Sequence, residues 1–285
     1  DIHAGRRVGG RGQEDLAVSG RSRRDAAHQP SEVVRIFDTV PFNNELDMLE
    51  CRLLELEGIP NLVHVVVEAD VDHQDHPKPY HLSDNLERFD AWADRLHVVR
   101  ATGLPTAADF PDPWAREHAQ REYTGPALHE LGAESDDVVL HGDLDEIPTD
   151  LVARNVRPRG FVALEQRPHF WSLRWQYPIA WRGTVAGRVS HVKSFAAMRD
   201  ARNVAPPLPN AGWHLSWLGG PDVALRKVGS FCHPEVLDRI TAGLAGNTFL
   251  EAGVHVDGVK MDRCSVDDSF PRYVREGRCP ESWLL

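Results

Sequence analysis

The chain has 285 residues, of which 41% are hydrophobic and 26% are charged, proportions that are ordinary for a globular protein. No stretch reaches the roughly 18 consecutive apolar residues that a membrane-spanning helix needs, so we expect no membrane span. The formal net charge is −11 at pH 7, and without residues 1–31 it becomes about −13. Because nucleic acids and anionic lipids attract basic surfaces, this balance disfavours both as general binding partners.

Residues 1–31 differ in composition from the rest of the chain. They are rich in Arg, Gly, Ser and Ala and show almost no apolar periodicity. They also lack the order of charged, apolar and small residues that marks a signal peptide. We therefore interpret them as a disordered tail or translated upstream sequence, and we expect residues 32–285 to form one domain.

The next part of the chain alternates between strand and helix patterns. Buried strands are predicted at 33–39, 62–68, 96–99 and 137–140. Leucines at three- and four-residue spacing predict a helix after Asn44, and further helices are expected at 84–93 and 112–131, the last interrupted by Gly125-Pro126. This alternation predicts an α/β fold with a parallel sheet, in which ligands bind beyond the carboxyl ends of the strands.

The second half has a different character. Strands are predicted at 161–165, 169–175 and 211–217, and helices at 221–230 and 234–243. Five of the eight tryptophans fall between Trp171 and Trp217. Such an aromatic concentration is typical either of core packing or of a platform for carbohydrate.

The four cysteines show no C-x-x-C pair. Cys51 lies in a helical pattern and is expected to be a buried thiol. Spacing leaves a bridge between Cys264 and Cys279 open, because connectivity does not follow from sequence. The cytoplasm, of a bacterium or of a phage-infected host, is the expected compartment.

The segment His141–Pro148, called the acidic loop below, directly follows the predicted strand 137–140 and places two carboxylates, Asp143 and Asp145, two residues apart. Residues two apart can converge on one ligand once the strand has ended. Two acids without a basic neighbour in sequence suit Mg²⁺ or Mn²⁺, and such a site commonly serves a metal–diphosphate. The alternative is a solvated turn in an acidic protein.

Six segments, in this order, resemble glycosyltransferase family 17 over about residues 33–240. They are RIFDTVPFNNELDMLECRLLEL, VVVEAD with KPY, WAREHAQRE, LHGDLDEIP, AGWHLSWLGG and SFCHPE. The resemblance implies a GT-A-type, Rossmann-like, mostly parallel sheet flanked by helices, with a nucleotide-binding half at 32–150 and an acceptor-side half at 151–285. It also implies an inverting transferase that uses a UDP-sugar, UDP-N-acetylglucosamine in the known activity, with Mn²⁺ or Mg²⁺.

On this hypothesis Asp145 holds the metal, and Asp143 reaches the ribose or a metal-bound water. His233 and His214 are candidates for a further metal ligand or a phosphate donor. Inversion needs a general base on the acceptor hydroxyl. Asp222, at the start of a late helix, is the first candidate, and Asp267 and Asp268 are further ones.

Contacts to the nucleotide are expected from polar residues that follow the first strands or share one helix before the acidic loop. Helix capping, strand ends and ordinary surface charge are the alternative roles of the same residues. The candidates are Asn43, Glu45, Glu68, Lys78, Arg116, Gln120 and Arg121.

The acceptor stays open at this point: it is a glycan, a surface polysaccharide, a small molecule or a hydroxymethylated base of phage DNA. The net charge disfavours the DNA acceptor. Two other classes compete with the transferase. A non-catalytic carbohydrate-binding module would use the aromatic cluster, and a metal-dependent phosphohydrolase would use the acidic loop.

Overall fold

The computed structural model describes residues 33–230, 237–245 and 251–285. Ten strands lie within these ranges: β1 (Ile36–Phe42), β2 (Leu62–Ala69), β3 (Leu96–Ala101), β4 (Val138–His141), β5 (Glu146–Pro148), β6 (Val162–Phe170), β7 (Trp175–Gln176), β8 (Trp181–Arg188), β9 (Pro207–Ser216) and β10 (Asp262–Arg263). The α-helices of the same ranges are α1 (Leu46–Leu56), α2 (Pro113–Glu122), α3 (Thr124–Glu130), α4 (Asp150–Asn155), α5 (Phe195–Asp200), α6 (Pro221–Gly229), α7 (Leu237–Ala245) and α8 (Arg272–Arg275). Short 3₁₀ helices span Ser83–Trp92, Val189–His191, Ala201–Asn203 and Glu281–Leu284.

All the described strands belong to one mixed sheet. Its main path runs β10-β7-β6-β8-β4-β1-β2-β3, and β9 pairs with β5 and β6 off this path. The strands β4, β1, β2 and β3 are parallel to one another, as the strand–helix alternation predicts. The second half adds antiparallel pairs between β4 and β8 and between β6 and β8. The predicted α/β class, a large sheet flanked by helices, is confirmed.

The structure corrects several predicted elements. The strand predicted at 33–39 runs from Ile36 to Phe42, and the helix predicted at 84–93 is a 3₁₀ helix. The break in the predicted helix 112–131 falls at Tyr123 rather than at Gly125-Pro126. Pro126 lies in the first turn of α3, where a missing N–H costs no intrahelical hydrogen bond.

Strand β8 was not predicted, because its sequence WRGTVAGR contains two glycines and two arginines. It nevertheless joins the two halves of the sheet, since it pairs with β4 on one side and β6 on the other. Its central residues are buried. Pairing on both edges, rather than local propensity, therefore makes this segment a strand.

A buried ion pair links the first strand to the acidic loop. Arg52 of α1 donates to both carboxylate oxygens of Asp38 in β1, at 2.6 and 2.8 Å, and His64 lies 2.9 Å from the same carboxylate. A third guanidinium nitrogen of Arg52 donates to the backbone carbonyls of Leu144 and Glu146, at 3.3 and 2.8 Å. The loop after β4 is thereby fixed to the core beneath it.

Cys51 is fully buried, as predicted. Cys264 and Cys279 are free, so the bridge that the spacing left open is not formed in this structure. Cys232 lies outside the described residues. None of the described helices has the length and apolar character needed to traverse a bilayer.

Candidate active site

A cavity of about 690 Å³ lies beyond the carboxyl ends of the parallel strands. Its wall includes residues that follow β1, β2 and β4, such as Asn43, Asp72 and Asp143. The opposite wall comes from the second half, with Phe170 of β6 and Lys227 of α6 among its residues. The position agrees with the rule that open α/β sheets bind ligands at this edge.

Asp143 is held by two guanidinium groups. Arg121 of α2 pairs with one carboxylate oxygen, and Arg199 of α5 donates to the other at 2.6 Å. Burial acts to raise the pKa of Asp143, but Arg199 and Arg121 outweigh it and hold the pKa well below its usual range. Asp143 is therefore ionised, and each of its oxygens already has a cationic partner.

Asp145 has different partners. Lys227 donates to one carboxylate oxygen at 2.9 Å, and Nε2 of His214 lies 3.6 Å from the other. Burial acts to raise the pKa of Asp145, but the opposing effects of Lys227 and His214 are larger. The pKa of Asp145 therefore lies below its usual value. The backbone carbonyl of Asp145 also accepts from the N–H of Leu215 at 2.8 Å, which fixes the loop to β9.

Glu146, the next residue, is fully buried and holds the acidic loop in shape. One carboxylate oxygen accepts from Arg199 at 2.6 Å and from the indole N–H of Trp181 at 2.7 Å. The other accepts from the backbone N–H of Asp143 at 2.9 Å. Since Arg199 bonds to both acids, the spacing of the two carboxylates depends on a residue more than fifty positions later in the chain.

The structure brings five of the nucleotide candidates to the cavity wall. Lys78 donates to the backbone carbonyl of Asn43 at 3.1 Å, and Glu45 lies 3.7 Å from the ammonium of Lys227. Gln120 donates to the carbonyl of Val67 at 2.7 Å, which leaves little of its amide for a ligand. The five are Asn43, Glu45, Lys78, Gln120 and Arg121.

Glu68, Arg116 and Asp222 do not line the cavity. Glu68 is fully buried, and its carboxylate accepts from the backbone N–H groups of Leu82 and Ser83, so it anchors the 3₁₀ helix that begins there. Arg116 is buried and donates to backbone carbonyls, including that of His73 at 2.6 Å. In both cases the polar group satisfies the protein's own backbone instead of facing a ligand.

The first candidate for the general base also falls outside the cavity. Asp222 lies exposed in the first turn of α6, where an acid favours the positive end of the helix dipole. Asp267 and Asp268 are exposed too and lie off the cavity wall. His233 lies outside the described residues, and its role stays a prediction.

The second half lines one end of the cavity with aromatic rings. Trp181 stacks on His214 with ring centroids 4.5 Å apart. Phe170 lies edge-on to His214 at 5.4 Å and is tilted against His255 at 4.3 Å. Trp217 lies nearly parallel to the His255 ring at 6.2 Å. The tryptophan-rich segment thus supplies both core and cavity wall.

Four residues of the site carry no clear signal in the sequence: Trp181, Arg199, Lys227 and His255. Arg199 belongs to a six-residue helix that the sequence did not predict. Lys227 contacts Asp145 although the two residues are 82 positions apart in the chain. A buried acid such as Glu146 indicates that basic partners exist. It does not indicate which of the 32 lysines and arginines they are.

The residues at the acidic loop fit a divalent cation in part. No group of three or more His, Cys, Asp or Glu side chains suited to a metal occurs among the described residues. Nε2 of His214 and a carboxylate oxygen of Asp145 lie 3.6 Å apart. One ion with metal–ligand bonds of about 2.1 Å could contact both atoms. Because Mg²⁺ and Mn²⁺ commonly take remaining ligands from water and phosphate, two protein donors suffice for such an ion.

Comparisons with known proteins identify a family for most of the chain. The family model described as Glycosyltransferase family 17 matches residues 16–234, a range that begins inside the segment interpreted as a tail. A comparison with curated proteins found no match.

Three solved structures show a weak likeness. The mannosyltransferase PcManGT from Pyrobaculum calidifontis, in complex with GDP-Man and Mn²⁺, is 16% identical, with 78% of this chain and 68% of that chain covered and a TM-score of 0.37. TarS from S. aureus is 11% identical (76% and 44% covered, TM-score 0.36). The apo form of GlyE from Streptococcus pneumoniae TIGR4 is 8% identical (62% and 45% covered, TM-score 0.32).

Likenesses of this size support no inference about ligands or reaction, and the last two structures are matched over less than half of their length. The family model is different, because it spans well over half of the sequence and includes the acidic loop. The chain belongs to glycosyltransferase family 17 and is a glycosyltransferase.

Proposed function

We propose that the chain is an inverting, metal-dependent transferase that moves N-acetylglucosamine from UDP-N-acetylglucosamine to an acceptor hydroxyl. The observation that carries the proposal is the pairing of Asp145 with His214 and Lys227 at the strand-end cavity. A carboxylate, an imidazole and an ammonium in one buried place suit a diphosphate and its counter-ion.

The size and charge of the cavity support a nucleotide-sugar donor. Its volume of about 690 Å³ lies within the range of sites that enclose a small-molecule ligand. The wall carries Lys78, Arg121, Arg199, Arg202 and Lys227. Carboxylates on the same wall balance these charges, so the cations would contact a diphosphate as individual ammonium and guanidinium groups and not through a net positive charge. These carboxylates are Glu45, Asp72, Glu117, Asp143, Asp145 and Asp200.

Asp145 and His214 would hold the metal ion, with Asp143 beside them. When bound, the ion supplies Lewis-acid stabilisation of the charge on the departing diphosphate. His214 suits a ligand role because burial lowers its pKa and keeps the imidazole neutral at pH 7, although Asp145 opposes this shift. Lys227 lies close enough to contact the same phosphate groups as a point charge.

The acceptor of the proposed enzyme is a glycan or another sugar-bearing molecule. The aromatic end of the cavity, with Phe170, Trp181 and Trp217, offers flat apolar surfaces for a sugar ring. The net charge of −11 gives a nucleic-acid acceptor no support.

The test of the metal assignment is Asp145→Asn, which keeps the shape of the side chain and removes its charge. Wild type and variant are assayed for UDP release from UDP-N-acetylglucosamine with and without Mn²⁺, alongside UDP-glucose, UDP-galactose and GDP-mannose. Since Lewis-acid stabilisation contributes several kcal/mol, we expect Mn²⁺-stimulated turnover to fall about 100-fold.

Asp136→Asn is the matched control, because that carboxylate lies far out on the surface and pairs with exposed Arg188. It should retain wild-type turnover. An Asp145→Asn variant that kept Mn²⁺-stimulated release would disprove the metal assignment. A clear preference of the wild type for another nucleotide sugar would replace the proposed donor.

A further inference from the structure

Another histidine of the cavity wall, His255, lies beside a carboxylate. Its Nδ1 is buried and lies 3.0 Å from a carboxylate oxygen of Asp257, an ion-pair contact without hydrogen-bond geometry. That oxygen accepts from the backbone N–H of Val259 at 2.9 Å, and the other accepts from the hydroxyl of Tyr177 at 2.7 Å. Asp257 is thus fixed from two sides, with its negative charge next to the imidazole.

The turn that carries His255 is attached firmly to the aromatic core. The N–H of His255 donates to the carbonyl of Val259 at 2.9 Å, which closes the turn. The indole N–H of Trp171 donates to the carbonyl of Val254 at 3.2 Å. Gly253 has φ of +60° and lies so close to Trp175 that a Cβ atom would come within 2.5 Å of the ring. The backbone that carries His255 is therefore held in place.

His255 lies one ring away from the acidic loop. Phe170 contacts both imidazoles, with ring centroids 5.4 Å from His214 and 4.3 Å from His255. His214 in turn lies 3.6 Å from Asp145. The two imidazoles therefore contact the same aromatic ring, and both line the same cavity.

We propose that His255 is the general base of the transfer reaction and that Asp257 is its positioning residue. This inference rests on the proposed function. It gives His255 the role of general base, for which Asp222 was the first candidate in the sequence. Because Nδ1 is buried beside Asp257, Nε2 is the nitrogen left for the acceptor. None of the described residues forms a hydrogen bond to Nε2.

The chemical step balances without a further reactant. Nε2 takes the proton of the acceptor hydroxyl while its oxygen forms a bond to the anomeric carbon from the face opposite the leaving group. The bond from that carbon to the diphosphate oxygen breaks, and its electron pair leaves on the diphosphate. The imidazolium, stabilised by Asp257, then returns its proton to solvent.

The two aspartates of the acidic loop suit this role less well. Both oxygens of Asp143 are paired with arginines, and Asp145 is paired with Lys227. A base must be able to take up a proton, and close cationic partners oppose protonation of a carboxylate. Burial lowers the pKa of His255 from its usual value near 6.5, against the opposing effect of Asp257, so the imidazole is neutral at pH 7.

The experiment compares His255→Gln with wild type in two measurements. The first is hydrolysis of the nucleotide sugar that gives turnover in the donor panel, with water in place of the acceptor hydroxyl. The second is the Kd for UDP, measured by calorimetry. Because general-base catalysis contributes about 10²- to 10⁴-fold, we expect kcat to fall at least about 100-fold with the Kd unchanged.

Two further variants separate catalysis from structure. His255→Ala should regain activity when free imidazole is added, a rescue that a structural role would not allow. Asp257→Asn should lower kcat less and shift the acidic limb of the pH profile, since Asp257, the hydroxyl of Tyr177 and Arg239 of α7 are the charged or titratable groups around the imidazole. His191→Gln, exposed and packed on Phe161, is the control and should behave as wild type.

The possible results are distinct. Full hydrolysis by His255→Gln, or no rescue of His255→Ala by imidazole, would overturn the assignment of the base while leaving the proposed function intact. Failure of the wild type to bind UDP or any nucleotide of the panel would instead contradict the proposed function, and the inference would fall with it.

Discussion

At the scale of single residues, the site depends on Arg199, which bonds to Asp143 and Glu146 at 2.6 Å each. Glu146 is fully buried, with Arg202 at a longer distance of 3.7 Å, and Asp143 also pairs with Arg121. Burial of an unpaired carboxylate is costly, whereas a paired one is tolerated. Arg199 therefore acts on the shape of the acidic loop before any ligand binds.

The variant Arg199→Met removes the charge and keeps much of the side-chain volume. We expect the free energy of unfolding to fall by about 3 kcal/mol, since buried Glu146 loses its closest cationic partner and keeps the more distant Arg202 at 3.7 Å. Urea denaturation at pH 7 measures the change. Arg226→Met, at an exposed position of α6, is the control and should lie within about 0.5 kcal/mol of wild type. An equally small effect of Arg199→Met would show that Glu146 does not need its partner.

At the scale of elements, the antiparallel pairing of β5 with β9 positions both walls of the cavity. Here Glu146 pairs with His214 and Ile147 pairs with Trp213. Gly212 pairs with Pro148 at its end, where a Cβ atom would come within 2.0 Å of the carbonyl oxygen of Ile147. Only a residue without a side chain permits this close approach of two backbones.

Gly212→Ala should push β9 away from β5, because neither backbone has room to move without breaking its ladder. We expect a loss of about 1–3 kcal/mol in the free energy of unfolding, the usual range for overpacking, together with weaker Mn²⁺ binding at the proposed site of Asp145 and His214. Chemical denaturation and calorimetric titration with Mn²⁺ measure the two effects. Gly160→Ala, which has open space around it, should be neutral. Wild-type stability of Gly212→Ala would mean that the sheet adapts where these two strands pair.

At the scale of the whole molecule, stability should depend on pH through histidines that are buried as neutral groups. Burial lowers the pKa of each below its usual value of 6.5, and for His169 the pKa falls to about 4. Below pH 6.5 the unfolded chain binds more protons than the folded chain, so stability falls as the pH falls toward each folded pKa. The group consists of His141, His169, His214 and His255.

For His169 alone, linkage gives a loss of about 2 kcal/mol between pH 7 and pH 5. Urea denaturation at a series of pH values should therefore show a falling free energy of unfolding, and His169→Gln should show a shallower slope than wild type. His76→Gln, at an exposed position, should keep the wild-type slope. Equal slopes for His169→Gln and wild type would mean that His169 is protonated in the fold.

Much of the fold could be predicted from the sequence, because its signals are local. Leucine periodicity indicated α1, and apolar runs indicated the strands β1 to β4, whose parallel pairing the structure confirms. The order of six segments indicated the family, which the family model confirms. Strand β8 escaped prediction, since pairing with distant strands outweighs its own weak propensity.

By itself, the sequence determined the family, the α/β class and the position of the acidic loop at the end of a strand. Only the tertiary structure decided which charges meet there: Arg199 and Lys227 with the acidic loop, and His255 with Asp257 at the far side of Phe170. It also decided that Glu68 and Arg116 bind backbone groups and that Asp222 is not part of the cavity wall. The physical reason is that hydrophobic periodicity is set by neighbours in sequence, whereas the partner of a buried charge is set by how distant elements pack.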